Sequence, residues 1–454
     1  MDYFEYKNGN LFCEDVLIED IAEKYGTPSY IYSKKTLIRH YTAYSASFNS
    51  LDNMICFSVK SLGNIAILNL LNKEGAGFDI VSGGELYRAL KAGADPKKII
   101  FSGVGKSSVE IAAAIQAGIL SFNIESISEY ERIKKIASEM QKVASISIRF
   151  NPDIHAGGHD YISTGRKEDK FGIDSEDMVL ELAKNINKEK YLNFKGLACH
   201  IGSQILNLEG FEKAANKTLD LCNNLNKNGI KVDLVDLGGG LGVPYKDEIP
   251  PSPEELIHTI EDIFKDRDEL IVLEPGRSIS ANSGVLLTRV EYLKNKFIIA
   301  DAAMNDLLRP ALYKAHHDVL PLLKDNRSGD KDYDLVGPIC ETGDYLAKGL
   351  KIQVKEGDLL AVKTAGAYGF VMSSNYNSRP RAPEILVDGF DANDTIDLTS
   401  FGTDLSATVN DGGTPDDTSD DYVEVTNNAD GISIALLGIT DTSNIDDQIG
   451  IAQE

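Results

Sequence analysis

Residues 54–102 read MICFSVKSLGNIAILNLLNKEGAGFDIVSGGELYRALKAGADPKKIIFS, and strand and helix patterns alternate along them. The strand-like runs are Met54–Val59, Gly77–Val81 and Lys98–Ser102. Between these runs lie segments with apolar residues at helical spacing, such as Ile65, Leu68 and Leu71. This alternation predicts parallel strands that are joined by right-handed helical crossovers.

The same alternation continues along the chain to about residue 280. Five more strand-like runs follow, at Leu120–Ile124, Ser145–Phe150, Lys195–His200, Val232–Leu237 and Leu270–Leu273. Eight strand–helix units over about 220–230 residues match a (β/α)8 barrel. A doubly wound open sheet is the rival fold, but it normally has a glycine fingerprint after its first strand, and Lys60–Asn64 does not fit one. We therefore predict a (β/α)8 barrel over residues 31–280.

The segments on either side of the predicted barrel have a different pattern. Residues 281–390 hold strand-like runs punctuated by Gly and Pro, with one helical stretch near 304–325. This pattern predicts a C-terminal, mostly-β domain. Residues 1–30 include strand-like runs at Leu11-Phe12 and Ser29–Tyr32, which we expect to join that domain. The predicted fold class is α/β, a barrel plus a C-terminal mostly-β domain.

Residues 391–454 form a tail of another composition, with 15 acidic and no basic residues. Three interpretations compete: a disordered acidic extension, a small β module built on Tyr422–Val425 and Ile432–Leu437, and a calcium site. Calcium ranks last because no EF-hand loop or glycine-rich nonapeptide repeat is present. An origin in another gene is a further alternative. If the tail completes the β domain, Gly431–Leu437 is the strand that we expect to do so.

The overall composition excludes several classes of protein. The net charge of −24 argues against a nucleic acid or an anionic membrane surface as the main partner. No apolar run is long enough to span a bilayer, and Met1–Glu5 lacks the features of a signal peptide. The five cysteines are scattered, which argues against a disulfide framework or a structural zinc site. We expect a cytoplasmic protein with reduced thiols.

Polar side chains follow several of the predicted strands, at the end of a barrel where active sites form. Lys60 follows the first strand, where loss of solvation would lower its pKa and make it a candidate Schiff-base amine. A solvated loop lysine is the alternative. Asp79, His200 and Glu274 lie at the ends of the second, sixth and eighth strands. A carboxylate such as Glu274 can pair with a protonated heterocyclic nitrogen.

Two glycine-bearing loops follow the seventh and eighth strands, where barrels often bind phosphate. Gly238–Gly240 and Gly276-Arg277 would let backbone amides approach an anion, although tight turns also favour glycine. Neither loop has the GK[ST] ending of a nucleotide-binding loop. A lysine, two phosphate loops, a carboxylate and a flat imidazole together predict a pyridoxal 5'-phosphate pocket. We expect no metal site, since His155 and His159 lie in a glycine-rich loop and His316-His317 suit a helix end.

Thirteen short motifs occur in one order along the chain: Val59-Lys60, Gly77–Asp79, Ser82–Glu85, Phe101–Lys106, Phe122–Ser126, Lys170–Gly172, His200–Gln204, Asp236–Gly242, Glu274–Arg277, Met304–Tyr313, Gly337–Asp344, Gly366–Gly369 and Ser374–Pro380. Through these motifs the chain resembles the diaminopimelate decarboxylases, a family of fold-type III pyridoxal phosphate enzymes. The resemblance runs from about residue 10 to residue 389. It implies a homodimer whose active sites are shared between subunits.

The resemblance also implies a role for each matched residue. Lys60 would be the Schiff-base lysine, and Cys340 from the partner subunit would be the proton donor after carbon dioxide leaves. The implied cofactor-binding residues are Lys60, Asp79, His200, Ser203, Gly240, Glu274, Gly276, Arg277 and Tyr368. The implied substrate-binding residues are Arg277, Arg309, Tyr313, Glu341 and Tyr368, and the first three would bind the distal carboxylate.

The function implied by the resemblance is the decarboxylation of meso-2,6-diaminopimelate to L-lysine, the last step of lysine biosynthesis. The alternatives are a related decarboxylase for ornithine, arginine or carboxynorspermidine, and a non-catalytic scaffold that keeps the fold. Met304–Tyr313 and Cys340–Asp344 favour the first function. The presence of Lys60 and Cys340 disfavours the scaffold.

Overall fold

The computed structural model describes residues 2–155, 164–165 and 169–388, together with the backbone of three strands at 405–410, 422–427 and 432–437. The chain divides into two compact units, Met1–Val387 and Asp388–Glu454. No helix in the described part of the chain is long and apolar enough to cross a membrane.

The N-terminal segment contributes to two different sheets. Its elements are β1 Phe4–Lys7, β2 Asn10–Cys13, β3 Val16–Leu17, α1 Ile18–Tyr25, β4 Ser29–Ser33 and α2 Lys34–Ser45. Strands β1 to β3 form a small antiparallel sheet of their own. Of these strands, β4 belongs to the larger sheet of the C-terminal β domain. Leu11, in β2, donates from its N–H to the Leu322 carbonyl oxygen at 2.9 Å and packs in one core cluster with Val285 of that domain.

Eight parallel strands close into a barrel in the first unit, which confirms the predicted fold class. The barrel strands are β5 Asn53–Ser58, β6 Gly77–Ile80, β7 Ile99–Phe101, β8 Ser121–Ile124, β9 Ala144–Arg149, β10 Leu192–Ala198, β11 Leu234–Asp236 and β12 Leu270–Leu273. The circle closes where β12 pairs with β5. Most residues of these strands are buried on both faces, because helices cover the barrel outside and side chains fill it inside.

The helices that follow the barrel strands are α3 Ile65–Lys73, α4 Gly83–Lys91, α5 Ser108–Ala117, α6 Ile127–Met140, α7 Glu176–Ile186, α8 Glu209–Lys227, α9 Pro253–Ile263 and α10 Arg277–Ser280. Serine side chains cap the first turns of several of them. Ser107 and Ser252 form full capping boxes with Glu110 and Glu255. Gly118 ends α5 in the left-handed conformation, with φ 72°. These local signals start and stop the helices between the strands.

The β domain is an eight-stranded sheet to which β4 belongs. Its other elements are β13 Gly284–Lys294, β14 Phe297–Ala300, α11 Arg309–Tyr313, β15 Val319–Pro321, β16 Tyr333–Val336, β17 Tyr345–Leu350, β18 Leu359–Val362 and β19 Glu384–Val387. The predicted helical stretch near 304–325 is wrong, because helix occupies only α11 and a short 3-10 turn at Lys324–Arg327. Lys314 takes a left-handed conformation with φ 53°, which ends α11 after five residues.

The second unit contains β20 Leu405–Asn410, β21 Tyr422–Asn427 and β22 Ile432–Leu437, which form a three-stranded antiparallel sheet. Here β22 pairs with β21, and the last strand of the eight-stranded sheet along the chain is β19. The three-stranded sheet agrees with the small β module among the three interpretations of the tail, and a contribution of Gly431–Leu437 to the β domain stays a prediction. The acidic run at 411–421, on which the calcium alternative depends, lies outside the described residues.

Candidate active site

Lys60 lies just past β5, in a 3-10 turn formed by Val59–Ser61. Its Nζ is 2.7 Å from Asp79 Oδ2, and 33% of its side chain is exposed. Asp79 is fully buried, and the same Oδ2 accepts a hydrogen bond of 2.8 Å from Ser58 Oγ. The Lys60 amine is thus held in place at one end of the barrel while a ligand can still reach it.

The pKa of Lys60 differs from the sequence-based prediction. Burial disfavours the ammonium, but the carboxylates of Asp79 and Glu274, with Tyr368, outweigh burial and raise the pKa of Lys60 above its ordinary value. The predicted fall in pKa is wrong for the protein alone, because desolvation was considered without the two neighbouring carboxylates. Lys60 is therefore a cation until something displaces the proton at Nζ.

A buried network of carboxyl and amide groups lies beside Lys60. Asn123 Nδ2 donates to Asp236 Oδ2 at 2.7 Å and to Ser102 Oγ at 3.1 Å. Glu274 follows β12, is buried, and hydrogen-bonds to Asp236. Burial, followed by the charges of Asp236 and Asp79, raises the pKa of Glu274 well above its ordinary value. We call Asp79, Asp236 and Glu274 the acidic pole.

The acidic pole lacks a counter-charge beyond Lys60 among the described residues. Burial raises the pKa of Asp236 to about 6. The Oδ1 atom of Asp79 is buried and has no hydrogen-bond partner. An orphaned buried oxygen and a raised carboxyl pKa both indicate room for a cationic group, such as a protonated ring nitrogen.

The glycine loops bring the ends of three strands into close contact. A Cβ atom on Gly239 would lie 2.1 Å from the Glu274 carbonyl oxygen, and one on Gly240 would lie 2.4 Å from the Gly202 carbonyl oxygen. Gly240 also has φ 117°, a conformation that side chains rarely adopt. A Cβ on Gly276 would lie 2.9 Å from Ser58 Cβ. These loops form a cradle that only glycine permits, which fits a phosphate-bearing cofactor.

His200 lies beside these loops with its imidazole in the neutral form. Its Nδ1 accepts a hydrogen bond of 3.2 Å from the Gly239 N–H, so the proton of the ring is on Nε2. Burial, then the charges of Arg149 and Lys60, lower the pKa of His200 well below its ordinary value. A neutral flat ring fixed by a backbone amide suits stacking on an aromatic cofactor.

Arg277 opens α10 and is buried, and each side of its guanidinium has a neutral partner. Nε and Nη2 donate to Ser203 Oγ at 3.3 and 3.0 Å, and Nη1 donates to Tyr245 Oη at 2.7 Å. The guanidinium carbon lies 4.8 Å from the centroid of the Tyr368 ring. Tyr368 is held in a left-handed conformation with φ 54°, and its N–H donates to the Ser61 carbonyl oxygen at 2.9 Å. Tyr368 thus connects the lysine turn with Arg277.

Arg309, the first residue of α11, is the second buried arginine. Its guanidinium carbon lies 4.4 Å from the centroid of the Tyr245 ring, and its Nη1 is 2.8 Å from His317 Nε2. Burial and then the charge of Arg277 lower the pKa of Arg309, while Tyr245 and Tyr313 favour its charged form. We call Arg277 and Arg309 the arginine pair. Neither pairs with a carboxylate within the part of the chain that the structure describes.

Comparison with known proteins identifies the family. Residues 34–281 match the family model described as "Pyridoxal-dependent decarboxylase, pyridoxal binding domain". The diaminopimelate decarboxylase of Pseudomonas aeruginosa is 50% identical over 395 residues, which cover 86% of this chain and 94% of that protein. The enzyme of Vibrio cholerae is 49% identical over 398 residues, with the same two coverages of 86% and 94%. The chain belongs to the diaminopimelate decarboxylase family.

Solved structures of diaminopimelate decarboxylases have the same fold. The Helicobacter pylori enzyme complexed with L-lysine has a TM-score of 0.79 at 40% identity, over 82% of this chain and 94% of that chain. The M. jannaschii enzyme in co-complex with L-lysine has a TM-score of 0.80 at 35% identity, over 86% and 93%. The predicted family is therefore confirmed, and with it pyridoxal phosphate as the cofactor.

The structure brings most of the predicted site residues together at the barrel end, but not all. Cys340 and Glu341 lie on an exposed loop between β16 and β17, where Glu341 accepts a hydrogen bond from Tyr376 Oη. Their roles remain predictions. Of the histidines in the glycine-rich loop, His155 is exposed and His159 lies outside the described residues.

Four residues around the site received no role in the sequence analysis: Arg149, Asp236, Tyr245 and His317. Arg149 ends β9, bonds Glu125 Oε1 at 3.0 Å, and has a buried Nη2 without a partner. Asp236 lies within a matched motif, so a carboxylate at the end of β11 was a usable signal. His317 was interpreted as a helix end, which is wrong, because its buried ring contacts Arg309. Tyr245 follows a loop proline, and no pattern in the sequence indicates it.

Proposed function

We propose that this chain decarboxylates meso-2,6-diaminopimelate to L-lysine with pyridoxal phosphate, as the last step of lysine biosynthesis. The observation that carries the proposal is the arginine pair, two buried cations without a carboxylate partner among the described residues, adjacent to a lysine and an acidic pole. Buried unpaired charge is costly, so this end of the pocket suits an anionic group of the substrate. Ornithine and arginine have no such distal carboxylate.

The residues at the acidic pole suit the cofactor in our proposal. Glu274 and Asp236 would keep the ring nitrogen protonated, and His200 would lie against the ring. The bound cofactor supplies an electron sink for the carbon that loses carbon dioxide. Lys60 would be the residue that holds the cofactor through its amine, and Asp79 Oδ2, 2.7 Å from Nζ, would be placed to accept the proton of that amine.

The phosphate and the distal carboxylate of the substrate take separate positions in this proposal. Ser203, Gly240 and Gly276 bind the phosphate with Arg277, whose Nε and Nη2 already contact Ser203 Oγ. Arg309 and Tyr313 would bind the distal carboxylate, together with Arg277 and Tyr368. A guanidinium can bind a carboxylate through two parallel hydrogen bonds, so this end of the pocket selects substrates that have one.

We also propose that the enzyme is a homodimer that shares its active sites and works in the cytoplasm. Cys340 and Glu341 are exposed on the β domain, as residues that act in a partner's site need to be. All five cysteines are free, in agreement with a reducing compartment. Cys340 is the proposed proton donor after carbon dioxide leaves.

A substrate panel tests the proposed reaction. The purified enzyme with added pyridoxal phosphate should release carbon dioxide and L-lysine in equal amounts from meso-2,6-diaminopimelate. With L-ornithine, L-arginine or L-lysine, kcat/KM should be lower by about 10³-fold or more, because the arginine pair stays unpaired. Equal kcat/KM values across the panel, or no carbon dioxide from meso-2,6-diaminopimelate, would contradict the proposal.

Subunit mixing tests the shared site. Inactive Lys60→Ala and inactive Cys340→Ala enzymes, once their subunits have exchanged, should regain up to about a quarter of wild-type activity, since each heterodimer has one intact site of two. No recovery despite demonstrated exchange would rule out sharing through Cys340.

A further inference from the structure

His317 lies four residues past the end of α11, and its ring is almost completely buried, with 1% exposed. Its Nδ1 is 2.8 Å from the Lys363 carbonyl oxygen, and its Nε2 is 2.8 Å from Arg309 Nη1. A carbonyl oxygen can only accept, so Nδ1 carries the proton and donates to Lys363. The Nε2 lone pair therefore accepts from the Arg309 guanidinium.

The surroundings keep His317 neutral. Burial, then the charge of Arg309, lower the pKa of His317 to about 3, and His316 and Arg277 act in the same direction. The Tyr245 ring meets the imidazole edge-on at a centroid distance of 5.3 Å. A protonated imidazole would have no lone pair for Arg309 and would repel it. The neutral ring is thus the only form that can hold this arginine.

The contact with His317 determines which N–H groups of the Arg309 guanidinium are left to bind a ligand. Within the described part of the chain, Nη1 is the Arg309 nitrogen that has a hydrogen bond, and the Tyr245 ring covers one face of the guanidinium. The Nε–H and Nη2–H groups remain for a ligand. These two groups form the parallel fork that matches the two oxygens of a carboxylate.

We propose that His317 is a positioning residue that orients Arg309 toward the distal carboxylate of the substrate. It acts through Arg309 and does not touch the reacting atoms. This inference rests on the proposed function, in which Arg309 binds that carboxylate. It adds a determinant of substrate specificity from a loop that precedes β15.

Two polar substitutions separate positioning from a general structural role. His317→Gln places an amide oxygen near the position of Nε2 and keeps an acceptor for Arg309. His317→Asn places its amide near Nδ1, which keeps the bond to Lys363 but does not reach Arg309. The matched control is His316→Leu, since His316 is exposed and bonds Asp318 instead.

The measurement is isothermal titration of each holoenzyme with L-lysine, which keeps the distal carboxylate, and with cadaverine, which lacks it. His317→Asn should weaken L-lysine binding about 10-fold or more, and His317→Gln less than about 3-fold. Cadaverine binding and the His316→Leu control should stay within about 2-fold of the wild type. The KM for meso-2,6-diaminopimelate should rise in His317→Asn in the same proportion as the L-lysine Kd.

An Arg309→Gln arm separates the failure of this inference from that of the proposed function. One possible result is that Arg309→Gln weakens L-lysine binding, whereas His317→Asn and His317→Gln have the same Kd for L-lysine as each other. The role of His317 is then overturned, and the proposed function stands. If the wild type binds L-lysine and cadaverine equally well, the proposed carboxylate site itself fails. If His317→Asn weakens both ligands equally, the effect is a structural one and the inference is again overturned.

Discussion

The two ends of the pocket carry opposite excess charge. At the acidic pole, three buried carboxyl groups face a single lysine, and the Lys60–Asp79 ion pair is the contact that balances them. At the other end, the two arginines have tyrosine, serine and histidine partners, all of them neutral. Each end therefore lacks a charge that a ligand can supply, and the two missing charges have opposite signs.

The opposite excess charges of the acidic pole and the arginine pair indicate which ligand groups each end of the pocket binds. Leaving buried charges unpaired costs several kcal/mol, and a protein tolerates that cost where a ligand offsets it. The acidic pole suits a cationic ring nitrogen, and the arginine pair suits an anion. A cofactor with a basic ring and a substrate with a second carboxylate match these requirements together.

The largest expected effect is that of Lys60→Ala, which removes the cation that pairs with the acidic pole through Asp79. Decarboxylation should fall below detection, and the absorbance of the lysine-bound cofactor at about 420 nm should disappear. Lys60→Arg is the matched variant, because it keeps a positive charge beside Asp79 but has no primary amine. It should be equally inactive, and turnover in either variant would mean that another residue holds the cofactor.

A smaller loss is expected for Glu274→Gln, which removes charge from the acidic pole and keeps its shape. The kcat should fall by about 10²- to 10³-fold, because a neutral amide does not hold a proton on the ring nitrogen. The absorbance of the lysine-bound cofactor should persist, which distinguishes lost chemistry from lost binding. A Glu274→Gln enzyme with wild-type kcat would show that the acidic pole does not tune the cofactor.

A pH effect on the stability of the cofactor-free enzyme comes next. Burial raises the pKa of Asp236 to about 6 from an ordinary 3.8, so the folded state binds its proton more tightly than the unfolded state does. The stability from this proton is fully present below about pH 4 and is lost as the pH rises through about 6. The melting temperature of Asp236→Asn should therefore rise relative to the wild type between these two pH values.

The difference in unfolding free energy over that range should be on the order of 1–3 kcal/mol. Comparing the two proteins at each pH removes any constant cost of the substitution and the contributions of groups that do not interact with Asp236; the measured difference belongs to Asp236 together with Glu274, whose pKa Asp236 raises. The expectation fails if the two melting curves stay parallel from pH 4 to pH 7, since Asp236 would then ionise normally in the folded enzyme.

The barrel was predictable from the sequence because its signals are local. Strands that are buried on both faces have continuous apolar runs in the sequence. Serine residues at helix N-termini and glycine residues at helix C-termini mark where the helices begin and end. The lysine, the glutamate and the glycine loops follow directly after such runs. Their positions could therefore be inferred without knowing any distance in the folded chain.

Other features depend on contacts between distant parts of the chain and were not predictable. The raised pKa of Lys60 needs the positions of Asp79 and Glu274, which are 19 and 214 residues away. His317 becomes a site residue because it bonds Arg309, and Tyr245 because it contacts both Arg309 and Arg277. The pairing of Ile432–Leu437 with β21 could only be offered as one of several alternatives, the small β module, since a strand pattern does not name its partner.

The most direct test of the opposite charges at the two ends is a comparison of two substrates in two enzymes. Carbon dioxide release gives kcat/KM for meso-2,6-diaminopimelate and for L-lysine, in the wild type and in Arg309→Gln. The quantity of interest is the first kcat/KM divided by the second. Arg289→Gln is the control, since Arg289 bonds the Gly357 carbonyl oxygen away from the pocket. The arginine pair predicts that Arg309→Gln lowers the ratio about 100-fold, through meso-2,6-diaminopimelate alone, while Arg289→Gln leaves it unchanged. A ratio that is the same in Arg309→Gln and the wild type would contradict a distal carboxylate bound at this end of the pocket.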